Sequence, residues 1–558
     1  MRVADAIGRE LARLGIDQVF GVVGSGNFYV TNALVANGAR FVATRHEMGA
    51  AMMADAHART TGRVTALTVH QGCGLTNALT GITEAAKSRT PLLVLAADTA
   101  RPHGTSNFNI DQPAVLRGLG VVSETITTPE SAVHEATRAL RRAVVDRRTV
   151  VLNLPLDVQD AELPDDALPP APLPELFPTE PARESVERLA ELLRSAERPV
   201  FIAGRGARLS GARQSLVELG ELSGALLATS GVARGFFVGE RWDIDVSGGF
   251  SSPLTAELVS GADLVVGWGA SLNTWTLRNY ELLGAGATLV QVDEDPTAIG
   301  VHPPRVDLGV VGDVGRTAEA TAAALRTTPR TRPSWRTDEL ADRIAARRRW
   351  RDEPYEDTST GDLIDPRTLS IALDDLLPAE RVVVPDGGNF NGYPAMFLGV
   401  PDDKGFCLTL AFQSIGLALS TAIGAGLASP GRIAVAGVGD GGLMMSMVEL
   451  DTAVRLELPL VVICYNDHAY GAEVHHFGPE GAALDTVRFP ETDIAAIARG
   501  YGCEGVVVRR VDDLKAVQDW VDGPRDRPLV IDARITDFAS WMIAHSFAGE
   551  LGGTPDPS

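Results

Sequence analysis

An amphipathic helix that runs straight into a short apolar strand occurs three times in this chain, at intervals of roughly 180 residues, a usual size for one α/β domain. In the first copy Val3, Ile7, Leu11 and Leu14 recur at helical spacing, and Val19-Phe20-Gly21-Val22-Val23 follows. In the second, Val186, Leu189 and Leu193 precede Pro199-Val200-Phe201-Ile202-Ala203. In the third, Leu369, Leu373 and Leu376 precede Arg381-Val382-Val383-Val384. Helices alternating with apolar strands predict an α/β protein of three doubly wound parallel-sheet domains. The expected boundaries are 1–165, 186–328 and 362–540.

Two linkers separate these units. Residues 160–185 carry Pro164, Pro169, Pro170, Pro172, Pro174, Pro178 and Pro181, which predicts a stiff extended connector. Residues 327–362 combine Pro329, Pro333 and Pro354 with the basic run Arg347-Arg348-Arg349-Trp350-Arg351. That run is read as part of a solvated linker helix. From Phe547 onward the chain is Gly/Pro-rich, and is read as a mobile end or a cover over a site.

Composition narrows the function classes. A formal charge of −22 argues against a nucleic-acid partner and against anionic membrane surfaces. Cys73, Cys407, Cys464 and Cys503 lack CxxC spacing and fit reduced thiols of a cytoplasmic protein. No apolar run is long enough for a transmembrane helix, and the N-terminus enters an amphipathic helix without signal-peptide character.

The chemistry concentrates near the C-terminus. Gly439-Asp440-Gly441-Gly442 follows a strand-like run, and Asn466-Asp467-His468 follows the next one. Leu443, Met447, Leu450 and Val454 lie between them at helical spacing. This is a β-α-β unit, so both segments fall at carboxyl ends of parallel strands, where open sheets bind ligands. The glycines admit backbone N–H groups close to a phosphate. Asp440 and Asn466 offer hard oxygen ligands suited to Mg²⁺ on a diphosphate, and His468 completes the metal candidates. An ordinary crossover with polar loop residues would give the same GDG pattern.

A comparable junction lies near the N-terminus. Phe41-Val42-Ala43-Thr44 runs through Arg45-His46 to Glu47 and a helix of small residues. By itself, Glu47 reads as a helix N-terminal acid favoured by the dipole. The next strand ends at His70-Gln71-Gly72-Cys73-Gly74, and Gly24-Ser25-Gly26-Asn27 forms a glycine-rich loop. A structural loop histidine is the plain alternative for His70.

The GDG and Asn pair resembles the thiamine-diphosphate signature. The stretch RHEMGAAMMADAHARTTG resembles the pyrimidine-domain motif of acetolactate synthases and their relatives. The resemblance spans the chain and extends to benzaldehyde lyase and benzoylformate decarboxylase. It implies pyrimidine-binding, middle and diphosphate-binding domains, with thiamine diphosphate and Mg²⁺ as cofactors. It gives Glu47 the hydrogen bond to N1′ of the aminopyrimidine. It places Gly387, Gly388 and Asn389 in a second diphosphate loop, with Gly439, Asp440, Gly441, Gly442, Asn466 and Tyr470 also at the cofactor. Ile415 falls on the apolar wedge position, and the backbone carbonyl of Gln413 would accept from the 4′-amino group.

For the substrate, His70 and Ser25 stand where the decarboxylase has active-site residues, and Gln71 joins them as a catalytic candidate. Asn27, Gln112, His475, His476 and Phe477 are candidate substrate contacts. The decarboxylase's second histidine has no counterpart in Gly269-Ala270-Ser271-Leu272-Asn273-Thr274-Trp275. Gly204-Arg205-Gly206-Ala207 resembles the middle-domain loop of FAD-binding relatives, but the third glycine of the fingerprint is missing, which counts against FAD. The expected protein is a homodimer or homotetramer with sites between subunits. Its expected reaction is decarboxylation of a 2-oxo acid and transfer of the acyl unit to a carbonyl acceptor. The alternatives are a non-oxidative decarboxylase or C–C lyase releasing an aldehyde, and a nucleotide-binding module without catalysis.

Overall fold

The computed structural model describes residues 1–303 and 305–546, and the tail from Phe547 onward lies outside them. The chain forms three sheets in which every pairing is parallel. The first contains β1 (Gln18–Gly21), β2 (Arg40–Ala43), β3 (Thr65–Val69), β4 (Leu92–Asp98), β5 (Val122–Thr125) and β6 (Thr149–Pro155), in the order β2-β1-β3-β4-β6-β5. The second contains β7 (Pro199–Ala203), β8 (Leu226–Thr229), β9 (Asp243–Val246), β10 (Leu264–Trp268), β11 (Thr288–Asp293) and β12 (Leu308–Val311), in the order β12-β11-β10-β7-β8-β9. The third contains β13 (Arg381–Pro385), β14 (Ile433–Gly439), β15 (Leu460–Asn466), β16 (Glu504–Val508) and β17 (Leu529–Arg534), in the order β13-β14-β15-β17-β16. The expected architecture of three parallel-sheet α/β domains is therefore found.

The central strands explain why the sequence reads as unbroken apolar runs. Every residue of β3, β7, β10, β14 and β15 is buried, as expected for strands covered by helices on both faces.

The first and third domains share one core. The helix Glu47–Thr61 packs along the helix Ala418–Leu427, and their small residues fall in a single apolar cluster. Ala50, Ala51 and Ala54 on one side and Gly424 on the other let the backbones approach. A Cβ on Gly424 would overlap the Met53 carbonyl. Polar ties accompany this packing: Arg45 Nε bonds Asp451 at 2.6 Å, and Glu84 accepts from the backbone N–H of Ala411 and Phe412.

Two readings of the sequence need correction. The stretch containing Leu443 to Val454 is not one helix. It divides into Asp440–Ser446, a tighter 3-10 turn Met447–Glu449, and Leu450–Arg455. The turn carries Glu449 inward, where it is 1% exposed. The basic run 347–351 is not a solvated helix face either. The helix Asp338–Arg347 ends as the run begins. Arg348 then pairs with Asp243 of the middle domain at 3.1 Å, and Arg349 and Arg351 pair with Asp374 of the third at 2.8 and 2.5 Å. The run clamps two domains together, because each acid is buried and needs a cation.

Candidate active site

At the carboxyl edge of the first sheet, three loops converge. Glu47 opens its helix, with His46 as N-cap accepting from the Met48 N–H. The Glu47 carboxylate accepts from Asn77 Nδ2 at 3.0 Å, a partner that the sequence did not single out. The peptide before it is held from the third domain: Glu449 accepts from the Arg45 N–H at 3.1 Å and the His46 N–H at 2.8 Å. Gly49 is required there, since a Cβ would lie 2.5 Å from Glu449 Oε1.

His70 and Ser25 meet: Nε2 lies 3.4 Å from Ser25 Oγ, and the ring stands 5.0 Å from that of Phe108. The glycines beside Ser25 allow this approach. A Cβ on Gly24 would overlap the His70 ring, and one on Gly26 would overlap Gln71 Oε1. Gln71 is buried, and its Oε1 has no hydrogen-bond partner among the described residues.

Asn27 and Gln112, expected at the substrate, are folded inward in this structure. Asn27 is fully buried and spends its amide on Val22 O and Thr68 Oγ1, while Oδ1 accepts from the Gly24 N–H. Gln112, also fully buried, donates to Ala97 O and Asn153 Oδ1 and accepts from the Gly72 N–H. With every polar atom engaged, both shape the loops that present Ser25 and His70.

At the carboxyl edge of the third sheet, glycines let the loops that carry the cofactor candidates pack closely. Gly441 lies under the Tyr470 ring, where a Cβ would stand 2.6 Å from Cε1. Gly388 has φ +128°, and a Cβ there or on Gly439 would strike Phe390. A Cβ on Gly387 would stand 3.2 Å from Ile415 Cγ2, so the expected wedge sits directly on the expected diphosphate loop. Gln413 holds a left-handed backbone at φ 59°, a strained conformation for a non-glycine residue. The Asn389 side chain is tied to the C-terminal segment, accepting from the Ser540 N–H and donating to Phe538 O, which leaves its backbone to face the site.

Asp440 Oδ1 is buried without a hydrogen-bond partner among the described residues. Burial pushes the Asp440 carboxyl up, and burial together with Asp440 pushes up that of Asp467. Asn466 donates to Asp532 Oδ1 at 2.7 Å, and its Oδ1 accepts from the His468 N–H at 3.2 Å. The His468 imidazole turns away: Nε2 lies 2.8 Å from Arg534 Nη1, so the ring is not free to ligate from this position. Its carbonyl accepts from the Phe489 N–H at 2.7 Å. Among the described residues no cluster of three His, Cys, Asp or Glu side chains is built for a metal. An orphaned carboxylate oxygen, an amide oxygen and backbone donors beside a glycine cradle nevertheless fit a hard cation on a diphosphate.

Beyond this loop, His475 Nε2 stands 3.2 Å from Asp537 Oδ1, and burial lowers the imidazole pKa. The rings of His476 and Phe477 meet edge to face at 4.7 Å. Glu473, which the sequence reading passed over, is exposed in the first turn of the same helix. In the middle domain, Gly206 N–H donates to Gly269 O at 3.0 Å, and a Cβ on Gly204 would overlap that carbonyl. The glycines thus serve contact between the loops after β7 and β10.

Three family models match in chain order: the N-terminal thiamine pyrophosphate binding domain over residues 1–113, the central domain over 186–321 and the C-terminal thiamine pyrophosphate binding domain over 386–533. The chain belongs to the thiamine pyrophosphate enzymes. It is similar to the sulfoacetaldehyde acetyltransferase of Rhodobacter capsulatus, at 29% identity over 94% of this chain and 93% of that protein. It is also similar to the catabolic acetolactate synthase of Raoultella terrigena, at 26% identity over 95% of each chain. A protein of Pseudomonas aeruginosa named as a probable 2-ketoarginine decarboxylase is 29% identical over 93% of this chain and 91% of its own. In fold, the chain is similar to the thiamine diphosphate-dependent 4-hydroxybenzoylformate decarboxylase of Rhodococcus jostii, with a TM-score of 0.80, 23% identity, and coverage of 97% of this chain and 100% of that one. This is a thiamine-pyrophosphate-dependent enzyme of the group that holds both synthases and decarboxylases.

Proposed function

We propose that this enzyme decarboxylates a 2-oxo acid and transfers the remaining acyl unit to a carbonyl acceptor. The observation that carries the reading is the division of labour between two sheet edges. Glu47, Ser25 and His70 supply proton-moving groups at the first. The glycine cradle and the orphaned Asp440 oxygen supply an anion and cation site at the third. Bound thiamine diphosphate supplies the nucleophilic carbon and the electron sink for loss of CO₂.

The chain's own groups do the rest. Asp440 and Asn466, with backbone oxygen near His468, hold Mg²⁺. N–H groups of 387–389 and 439–442 receive the diphosphate. The Gln413 carbonyl and the Ile415 side chain orient the pyrimidine, and Glu47 shares a proton with its N1′. His70, with Ser25 on Nε2, moves a proton at the substrate carbonyl. No hydrogen bond or ion pair among the described residues joins the first set to the second. We infer that a second copy of the chain completes each site. Phe412, Met444, Met445 and Val448, between 41% and 50% exposed beside the third-sheet loops, support such an apolar contact.

The Ser25–His70 contact also favours a second reading, in which a proton from His70 ends the reaction as free aldehyde. Incubation with a panel of 2-oxo acids, each with and without aldehyde or ketone acceptors, separates the two by mass spectrometry. Ligated 2-hydroxy ketone or acid supports transfer. Aldehyde alone with every acceptor replaces the first reading by the second, and no CO₂ release from any 2-oxo acid refutes both.

A further inference from the structure

The three loops that carry the candidate cofactor residues, 386–389, 413–417 and 439–442, come from separate parts of the chain. One carboxylate lies where they meet. Asp386 is 1% exposed. Its Oδ1 accepts from the Gly387 N–H at 2.9 Å and the Leu417 N–H at 3.3 Å, and its Oδ2 accepts from the Gly416 N–H at 2.8 Å. The third loop presses on the same point: a Cβ on Gly442 would stand 3.0 Å from Oδ2 and 3.2 Å from Gly416 N. No cationic side chain among the described residues pairs with this carboxylate, so backbone N–H groups alone compensate it. Burial pushes its carboxyl up to about 6 against their opposing pull.

Besides Asp386, the 413–417 turn is tied by Ser414 Oγ donating to the Ile415 carbonyl and by Thr421, whose N–H and Oγ1 donate to the Leu417 carbonyl. Gln413 has φ 59° and Gly416 φ 83°, so two of its residues sit in the left-handed region. Apart from the bonds of Gly416 and Leu417 to Asp386, the backbone N–H groups of 413–417 make no hydrogen bond among the described residues. Strained backbone persists only where surrounding contacts over-determine it. Here the Asp386 side chain takes the two N–H groups of the turn that are bonded, and Asp386 begins the loop against which Ile415 rests.

We propose that Asp386 is a positioning residue: it locks the 413–417 turn so that the Gln413 carbonyl and the Ile415 side chain are presented to the pyrimidine half of the cofactor. What the turn presents rests on the function proposed above. The geometry of the lock does not. A carboxylate accepts on both oxygens, whereas an amide of equal size accepts on one and turns an NH₂ toward a donor.

The test uses the full-length chain and begins without cofactor. In Asp386→Asn, hydrogen exchange in a peptide covering 413–420 should accelerate about tenfold or more, the scale of one lost hydrogen bond to a charged group, while β14 and β15 keep wild-type exchange. With Mg²⁺ present, calorimetry should then show thiamine diphosphate binding weakened by about tenfold, inorganic diphosphate binding weakened less, and partial recovery in Asp386→Glu. Wild-type exchange at 413–420 overturns the proposal, as does equal weakening of both ligands. If Asp386→Asn unfolds globally, Gly442→Ala presses on the same carboxylate from the other side. It should accelerate the same peptide with β14 and β15 intact, and no acceleration overturns the proposal. Failure of the wild-type chain to bind thiamine diphosphate would refute the proposed function, while exchange in the cofactor-free chain still decides the role of Asp386.

Discussion

Asp440 and Glu47 show how one functional group, the carboxylate, takes different work from its surroundings. Asp440 keeps a buried oxygen without a hydrogen-bond partner among the described residues, which leaves it a lone pair for a cation. Asp440→Ala should abolish Mg²⁺-dependent binding of thiamine diphosphate in calorimetry, and unchanged affinity would remove it from the metal site. Glu47 is half-buried, and its carboxylate is aimed by Asn77. Glu47→Gln should keep the fold and much of the cofactor affinity but slow exchange of the cofactor C2 proton in D₂O by about 10²–10⁴-fold, the usual weight of a positioned acid–base group. Wild-type exchange followed by NMR would exclude Glu47 from that role. Position at a strand end beside glycine or small residues made both candidates, and for Glu47 the family resemblance supplied the role. Position alone did not show that Asn27 and Gln112 fold inward, since a polar residue in a site loop reads the same whether it faces a ligand or holds the loop.

At the scale of elements, the junction between β2 and the helix Glu47–Thr61 depends on another domain. Glu449 reaches it from the 3-10 turn Met447–Glu449 and takes both N–H groups ahead of Glu47. Its Oε2 also accepts from Thr452 Oγ1 at 2.6 Å. Glu449→Gln retains the shape but offers one accepting oxygen. It should lower stability by about 1–3 kcal/mol, read from the denaturant midpoint, and slow C2 proton exchange although Glu449 touches no substrate. A variant with the expected loss of stability but wild-type proton exchange would show that the junction tolerates displacement of Glu47. The periodicity of Leu443, Met447, Leu450 and Val454 did not reveal this turn, because apolar spacing alone does not distinguish a continuous helix from two short ones that bury the same side.

For the whole molecule, charge and burial set a dependence on pH. Burial lowers the His57 pKa from its usual 6.5 to about 4, with Asp17 opposing and Arg63 and Arg40 adding to the shift. Between those values the unfolded chain binds a proton that the folded chain excludes. Stability is therefore lost as pH falls from 6.5 toward 4, by about 3 kcal/mol at the full shift. His57→Gln should flatten that part of the profile of denaturation midpoint against pH, and an unchanged slope would assign the acid sensitivity to other groups. The sequence by itself determined the three α/β units, because helical and strand periodicities are local signals, and its resemblance to the thiamine-diphosphate signature implied the cofactor class. Tertiary structure alone decided which carboxylates act on which backbone. Asp386 on the 413–417 turn, Glu449 on the peptide before Glu47 and Asp374 on the basic run are pairings across long stretches of chain. Nothing in the local pattern of a lone Asp or Glu specifies a distant N–H or guanidinium. Burial forces each acid to find its partner, and only the packed domains fix which one lies within reach.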